Sequence, residues 1–305
     1  MQYAYSVRDD KKIRVLIDTD AACEADDPFA IAHALMSPKL IVKGILAEQF
    51  GNRRNENSTQ ESYDEIKRVT TAMGSDVPVY MGAAAAMRSA EDYELSDASQ
   101  AIISQALSPD PHPLFVLCMG ALTNVACALR ERPEIAGRMT IVAIGGMGYG
   151  ASVLPLHFRE FNFGNDVIAA NTVMGAPGEF WQIPADVYIT IRVGIAELET
   201  KVLPHGRIGR HLFEQLVAYN QSDWAFWTAG ESWSLGDSPA VGVALHPSCG
   251  AFEMCKAPWI NEDTTNRENP DGKLIRVYRS VDSRYILEDF FAKLTLFTQN
   301  RGSMQ

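Results

Sequence analysis

The chain contains 305 residues, 47% of them hydrophobic, so it is long enough to bury a large core, either as one sizeable α/β domain or as two smaller ones. Its 27 basic and 38 acidic residues give a formal net charge of −11, which would repel phosphate backbones and argues against nucleic-acid binding. The five cysteines form no C-x-x-C pair, and neither an export segment nor an apolar run of bilayer length stands out, so we expect a reduced, cytoplasmic protein without a disulfide framework, zinc knuckle or membrane span.

Hydrophobic periodicity divides the first two-thirds of the chain into alternating strands and helices. The pattern predicts strands at residues 13–17, 41–47, 77–81, 114–119, 140–144, 179–183 and 187–191. It predicts helices from Asp27 onward and at residues 58–73, 96–107, 124–130 and 167–174. Such alternation is typical of a mainly parallel sheet flanked by helices. After Val193 the pattern turns helical and aromatic, followed by strands around a charged loop and a closing helix, 251–281 and 282–299. No linker or repeat interrupts the chain, so we predict a single α/β domain over residues 1–305.

Five carboxylates occupy the ten residues after the first predicted strand: Asp18, Asp20, Glu24, Asp26 and Asp27. Side chains at strand ends on the mouth of an α/β sheet are where such folds place their sites. Packing so much negative charge together requires a compensating cation, and hard divalent ions such as Ca²⁺ or Mg²⁺ prefer oxygen ligands. The loop therefore predicts a metal site.

Two other interpretations of this acidic loop compete with the metal site, namely helix capping and a phosphatase active site. Helix capping, with Pro28 in the first turn, explains Asp26 and Asp27 but leaves the strand-end pair Asp18 and Asp20 unexplained. A phosphatase of the haloacid-dehalogenase type uses a D-x-D pair as nucleophile and acid/base, which Asp18 and Asp20 match. Two alanines follow them, however, where such phosphatases usually have Gly-Thr or a similar pair.

Four segments together resemble the nucleoside hydrolase family, whose members cleave the N-glycosidic bond of ribonucleosides at a Ca²⁺ site. The acidic loop is similar to the family's D-x-D-P-G-x-D-D motif with a longer middle. The segment 117–126 is similar to G-P-L-T-N-x-A, and Arg159-Glu160-Phe161-Asn162 to the ribose-binding E-F-N motif. Gly236-Asp237-Ser-Pro-Ala resembles H-D-x-x-A except at its first position. The four lie in the family's order across about residues 13–245.

The resemblance implies a Rossmann-like nucleoside hydrolase fold, a Ca²⁺ cofactor, a nucleoside substrate and a homo-oligomer, either dimer or tetramer. It implies calcium ligands at the carboxylates of Asp20, Asp27 and Asp237 and at the backbone carbonyl of Met119. It implies that the ribose hydroxyls bind Asp26, Asn52, Glu160 and Asn162, with Asn55 and Asn57 as alternatives to Asn52. Asp18 would brace the loop, and Glu24 in the longer middle could replace one of the acidic ligands.

The reaction passes through an oxocarbenium-like ribosyl cation, so the site must supply a water nucleophile and a means of neutralising the departing base. Asp20 is the predicted general base. Gly236 stands where many family members have the histidine that protonates the base. Stacking of an indole on a purine can instead favour protonation of the base at N7. The candidate stacking residues are Trp233, three residues before Gly236, and the pair Trp224 and Trp227, which is predicted to lie on one helix face. Other possible acids are His157, His205, His211 and His246.

Three functional hypotheses follow. The first is calcium-dependent hydrolysis of ribonucleosides, with a leaning towards purines, to ribose and free base. The second is a phosphatase with Asp18 as nucleophile. The third is a calcium-dependent ribose- or nucleoside-binding protein that has lost turnover together with its acid.

Overall fold

The computed structural model describes residues 3–51, 56–150, 154 and 158–302; for residues 300–302 it describes the backbone alone. Its strands are β1 (Ile13–Thr19), β2 (Leu40–Ala47), β3 (Val79–Tyr80), β4 (Leu114–Cys118), β5 (Met139–Ile144), β6 (Glu179–Ile183), β7 (Arg192–Gly194), β8 (Ser232–Ser234), β9 (Phe252–Lys256), β10 (Trp259–Ile260), β11 (Asn266–Arg267) and β12 (Leu274–Tyr278). Its α-helices are α1 (Asp27–Leu35), α2 (Ser58–Met73), α3 (Asp97–Leu107), α4 (Thr123–Glu131), α5 (Phe161–Asn165), α6 (Val167–Gly175), α7 (Ala185–Tyr188), α8 (Ile195–Lys201), α9 (Gly206–Asn220), α10 (Ser238–Leu245) and α11 (Ser283–Gly302).

The main sheet runs in the order β3-β2-β1-β4-β5-β6-β12-β9, and every pairing in it is parallel except that of β9 with β12. All seven residues of β1 are buried, as expected for a central strand covered on both faces. Parallel pairing places the carboxyl ends of β1, β2 and β4 at one edge, where Asp18 is in register with Leu46 and Cys118. The predicted fold class, a mainly parallel sheet flanked by helices, is confirmed.

Helices cover both faces of this sheet and close a hydrophobic core on each. On one face α1, α2, α9, α10 and α11 bury residues such as Phe29, Leu212 and Phe290. On the other face α3, α4 and α6 bury residues such as Ile102 and Val125. Within the described residues, no helix combines the length and apolar character that a bilayer crossing requires.

Two predicted elements are wrong. Residues 187–191 do not form a strand, because Pro184 begins the short helix α7 and its carbonyl accepts the N–H groups of Val187 and Tyr188. Trp224 and Trp227 do not share a helix face, because α9 ends at Asn220 and only a 3-10 turn, Asp223–Ala225, follows. The two indoles are about half exposed, at 51% and 47%.

Candidate active site

A small cavity of about 80 Å³ lies at the carboxyl edge of the sheet and collects acidic residues from three parts of the chain. Asp20 follows β1, the pair Asp26 and Asp27 begins α1, and Asp237 precedes α10. Helices α1 and α10 pack against each other, which carries Asp237 to the acidic loop. The cavity is lined by Asp20, Cys23, Glu24, Asp26, Asp27, Met119, Ile144, Phe161, Asn162, Tyr188, Gly236 and Asp237.

Three of these carboxylates form a tight group. Asp26, Asp27 and Asp237 each offer one oxygen within 4.8 Å of the others. The four cavity aspartates, including Asp20, are only 2% to 9% exposed. Asp27 accepts a hydrogen bond from the Thr19 hydroxyl. No lysine or arginine side chain is among the described residues that line the cavity, so this negative charge has no protein countercharge there.

Burial raises the pKa of each carboxylate in this group. The pKa of Asp20 lies well above its usual value because of burial and, in addition, because Asp27, Asp26 and Glu24 lie near it. Burial raises the pKa of Asp27 to about 6. The pKa of Asp237 is raised well above its usual value by burial and by Asp26, Asp27 and Asp20. A bound cation would oppose each of these effects, because an opposite charge favours the ionised carboxylate.

The donor atoms in the cavity suit a hard divalent ion. Asp20 Oδ2 is buried, and it has no hydrogen-bond partner within the described residues. The Met119 carbonyl, in the turn after β4, accepts one bond from Asn162 Nδ2 at 3.2 Å, which leaves its second lone pair available. Carboxylate and carbonyl oxygens are the ligands that Ca²⁺ and Mg²⁺ take in proteins. The residues present therefore fit a divalent cation.

Helix α5 supplies a further part of the cavity lining through Phe161 and Asn162. The Glu160 side chain caps α5 by accepting the backbone N–H groups of Asn162 and Phe163 at 3.0 and 2.8 Å. This holds Asn162 so that its Nδ2 donates to the carbonyl of Ile144 at 2.9 Å as well as to that of Met119. Asn162 thereby ties the ends of β4 and β5 to the cavity.

A family model described as inosine-uridine preferring nucleoside hydrolase matches residues 15–286 of the chain. The chain belongs to this family. The match spans every acidic residue of the cavity, and the predicted resemblance is confirmed. The predicted class of enzyme, a nucleoside hydrolase acting on an N-glycosidic bond, is confirmed with it.

Individual relatives are distant in sequence. The chain is 24% identical over 287 residues to a pyrimidine-specific ribonucleoside hydrolase of Salmonella arizonae, covering 83% of this chain and 85% of that protein. It is 29% identical over 197 residues to a non-specific ribonucleoside hydrolase of Salmonella paratyphi A, covering 57% of this chain and 62% of that protein.

The solved structures agree on the fold. A purine-preferring ribonucleoside hydrolase from Gardnerella vaginalis superposes with a TM-score of 0.77 at 21% identity, covering 93% of this chain and 99% of the other. An inosine-guanosine nucleoside hydrolase superposes with a TM-score of 0.71 at 19% identity, covering 92% and 98%. The predicted nucleoside hydrolase fold is therefore confirmed.

Among the residues that the family resemblance implied, six line the cavity: Asp20, Asp26, Asp27, Met119, Asn162 and Asp237. Glu24, in the longer middle of this hydrolase's acidic loop, lines it as well. Asn52 and Asn55 lie outside the described residues, as does His157. Tyr188 also lines the cavity, although it belongs to none of the four motifs and lies in the segment 187–191 that was predicted as a strand.

Two implied substrate contacts are not where the sequence placed them. Trp233 is 1% exposed and does not line the cavity, because its place in the middle of β8 turns the indole into the core against Trp227 and Tyr219. This burial gives no support to its predicted role as a base-stacking residue. Glu160 is fully buried behind the cavity wall rather than on it.

Asp18 lies beneath the cavity and does not line it. It is fully buried, and its Oδ1 accepts a hydrogen bond from Asn124 Nδ2 at 3.0 Å. The same Asn124 amide reaches the carbonyl of Ala47 at 3.1 Å, so this contact joins the ends of β1, β2 and β4. Burial raises the pKa of Asp18 to about 7. A group so enclosed cannot attack a phosphate ester, which argues against the phosphatase hypothesis.

Proposed function

We propose that this family member is a calcium-dependent hydrolase that cleaves ribonucleosides, with a leaning towards purines, to ribose and free base. The observation that carries the proposal is the group of buried carboxylates, Asp26, Asp27 and Asp237, around a cavity that Asp20 and the Met119 carbonyl also face. Asp20, Asp27, Asp237 and Met119 would hold the ion. When bound, a divalent ion lowers the pKa of a coordinated water and neutralises the surrounding carboxylates.

Residues of the chain supply the general base and orient the sugar. Asp20 is suited to act as general base because its buried Oδ2 has no protein donor in the described residues and can accept a proton from the attacking water. Asp26 and Asn162 would orient the sugar, whose developing positive charge is stabilised by the surrounding carboxylates. Asp26, Asp27 and Asp237 each place one oxygen within 4.8 Å of the others, a spacing at which they can share one ion.

The leaning towards purines rests on aromatic stacking. The relatives named above differ in the base they accept, so the base has to be inferred from this chain. Trp224 and Trp227 are half exposed, and Trp227 packs on Trp233, three residues before Gly236. Neither Trp224 nor Trp227 is among the residues that line the cavity, so the leaning rests on the general ability of an exposed indole face to stabilise a purine protonated at N7, a role that Gly236 cannot fill.

We also propose a cytoplasmic homo-oligomer, dimer or tetramer. Strand β9 is the edge of the main sheet, and Phe252 and Met254 on it are 41% and 51% exposed, beside Leu274 at 62%. Apolar side chains gathered at an open sheet edge are typical of a subunit interface. Light scattering on the full chain tests this: a monomer mass at micromolar concentration would contradict it.

The activity is tested with a panel of purine and pyrimidine ribonucleosides in the presence of Ca²⁺ or of a chelator, with free ribose as the readout. We expect Ca²⁺-dependent ribose release, faster from inosine or adenosine than from uridine. Asp237→Asn should abolish it, while Asp92→Asn, an exposed residue paired with Arg88, should not. Calcium-dependent binding of nucleosides without ribose release would instead support the binding-protein hypothesis.

A further inference from the structure

The longer middle of the acidic loop places a fifth carboxylate, that of Glu24, in the lining of the cavity. The residues on either side of Glu24 anchor the loop. The Cys23 N–H donates to the Asp20 carbonyl at 2.7 Å. The Ala25 carbonyl accepts a hydrogen bond from Gln215 Nε2 of α9 at 2.8 Å. Because Cys23 and Ala25 are only 2% and 0% exposed, the loop is packed in place with Glu24 at the cavity.

The charge of the lining favours a positive group in addition to a metal ion. A divalent ion would offset two of the five negative charges that Asp20, Glu24, Asp26, Asp27 and Asp237 carry when they are ionised. No lysine, arginine or histidine is among the described residues of the lining, so the chain supplies no further positive charge there. Asp20 Oδ2, which has no hydrogen-bond partner in that part of the chain, adds an unsatisfied acceptor. A positively charged part of a substrate would meet complementary charge in this cavity.

Within the described parts of the chain, no neutral or basic side chain of the lining is placed to protonate a departing base. The Tyr188 hydroxyl donates its proton to Glu160 at 3.1 Å. Asn162 Nδ2 donates to two backbone carbonyls, and Cys23 adds only a thiol, which is a weak donor. The described histidines lie elsewhere: His33 hydrogen-bonds to Asp289, His112 to Asp110, His205 to Thr298 and His211 to Glu65, and His246 lines a separate cavity.

The lack of a proton donor matters for some bases and not for others. When the bond between C1′ and the base nitrogen breaks, its electron pair goes to the base, and the water oxygen bonds to C1′. A neutral base then becomes an anion unless a general acid protonates it, a contribution of about 10² to 10⁴-fold. A base that already carries a positive charge is neutralised by the electron pair and needs no proton. The proton that the water loses passes to Asp20 and then to solvent.

We propose that this site prefers ribosides whose heterocyclic base carries a fixed positive charge, and that Glu24 helps to recognise that charge. The inference rests on the proposed function, because it takes cleavage of the N-glycosidic bond as given and names the class of base. Ribosides of this class include 7-methylguanosine and nicotinamide riboside. Glu24 is then a residue that determines specificity, and the acidic lining compensates for the missing proton donor by selecting bases that do not require one.

The test compares guanosine with 7-methylguanosine, which differ by one methyl group and one positive charge, with Ca²⁺ present and free ribose as the readout. We expect kcat/KM to be roughly 10² to 10⁴-fold higher for 7-methylguanosine. Nicotinamide riboside, whose charge does not depend on pH, is the second cationic substrate and should be cleaved as well. Added salt should lower kcat/KM for both cationic ribosides and not for guanosine, because it screens the attraction between charges.

A cationic base also leaves more readily in water, so the decisive measurement is the effect of Glu24→Gln. The loss of kcat/KM on 7-methylguanosine should exceed the loss on guanosine by roughly 3- to 10-fold, as expected for one pair of opposite charges. Glu134→Gln is the matched control: it removes an exposed carboxylate that pairs with Arg132 outside the cavity, and neither kcat/KM should change. Equal losses on the two nucleosides would overturn the inference. A larger loss on guanosine would also overturn it, because Glu24 would then act as a proton donor.

The failure of this inference can be told apart from the failure of the proposed function. Cleavage of guanosine as fast as 7-methylguanosine would leave the hydrolase standing and refute the preference for a charged base. If neither nucleoside yields ribose, calorimetric binding in Ca²⁺ decides. Tighter binding of 7-methylguanosine that Glu24→Gln removes would support recognition of the charge while refuting hydrolysis. Equal binding of the two nucleosides, or no binding of either, would refute both.

Discussion

Stability should fall less steeply with rising pH in the presence of calcium than in its absence. In the metal-free protein the pKa of Asp27 is raised to about 6 from 3.8 by burial. Between those values the native state binds more protons than the unfolded state, so the free energy of unfolding falls as pH rises. For Asp27 alone the loss between pH 4 and pH 8 is about 2 kcal/mol. Asp20 and Asp237, whose pKa values are also raised, act in the same direction.

Calcium should offset this loss of stability, because a cation binds the ionised carboxylates and releases their protons. An ion present at 100 times its dissociation constant adds about 2.7 kcal/mol to the free energy of unfolding. We therefore expect urea unfolding to show almost no calcium effect at pH 4.5 and a stabilisation of about 3 kcal/mol at pH 7.5. In Asp27→Asn combined with Asp237→Asn the effect should vanish, whereas Asp92→Asn should keep it.

The measurement is a set of urea titrations, followed by circular dichroism, at three pH values in Ca²⁺ or in a chelator. Asp18 lies outside the cavity, so its raised pKa contributes equally in both series and cancels in their difference. Parallel pH profiles in the two series would refute the reasoning, as would calcium stabilisation that survives the double substitution. Either result would mean that the carboxylates do not share an ion.

Three further substitutions test single contacts. In an assay of ribose release, Asp20→Asn should lower kcat by about 10² to 10⁴-fold, the usual contribution of a general base. A loss of less than tenfold would show that Asp20 is not the general base. Gly120→Ala places a Cβ 2.9 Å from Asp20 Cγ and should lower kcat/KM by up to about 100-fold, because it misplaces that carboxylate. Gly137→Ala is the control, since no atom lies within 4 Å of its Cβ, and it should not change kcat/KM. Equal rates for the two variants would contradict the packing argument. Trp233→Phe should lower the free energy of unfolding, measured in urea, by about 1 to 3 kcal/mol, because the indole is in the core. The ratio of purine to pyrimidine turnover should stay unchanged. A changed ratio would show that Trp233 acts on the bound base.

The parallel part of the fold could be predicted because its strands are buried on both faces. The prediction of a strand at 140–144 matches β5, Met139–Ile144, and that at 114–119 matches β4, Leu114–Cys118. Short apolar runs between amphipathic helices define such strands locally, and parallel pairing then forces their carboxyl ends together. For this reason the acidic loop that carries Asp20 and Asp27 could be assigned to the carboxyl edge of the sheet from the sequence, whereas Met119 was implied only by the family resemblance.

What could not be predicted depends on which way a side chain faces. The apolar run 187–191 has the composition of a strand, yet the carbonyl of Pro184 starts a helical turn that directs Tyr188 into the cavity. Trp233 was assigned by its distance along the chain from Gly236, but the alternation of β8 buries it. Glu160 belongs to a motif that names its residue type, whereas its side chain accepts hydrogen bonds from Asn162, Phe163 and Tyr188 behind the cavity wall. None of these directions is encoded by spacing alone.

The acidic cavity also links the proposed base to the proposed ion. Without a cation, burial and neighbouring carboxylates keep the pKa of Asp20 well above its usual value, which favours its protonated form. A protonated carboxyl group cannot take a proton from water. Removing calcium should therefore weaken the base as well as remove the water's activation, and the two losses should appear together. An ion bound beside Oδ2, which has no protein donor in the described residues, would favour the ionised form of Asp20.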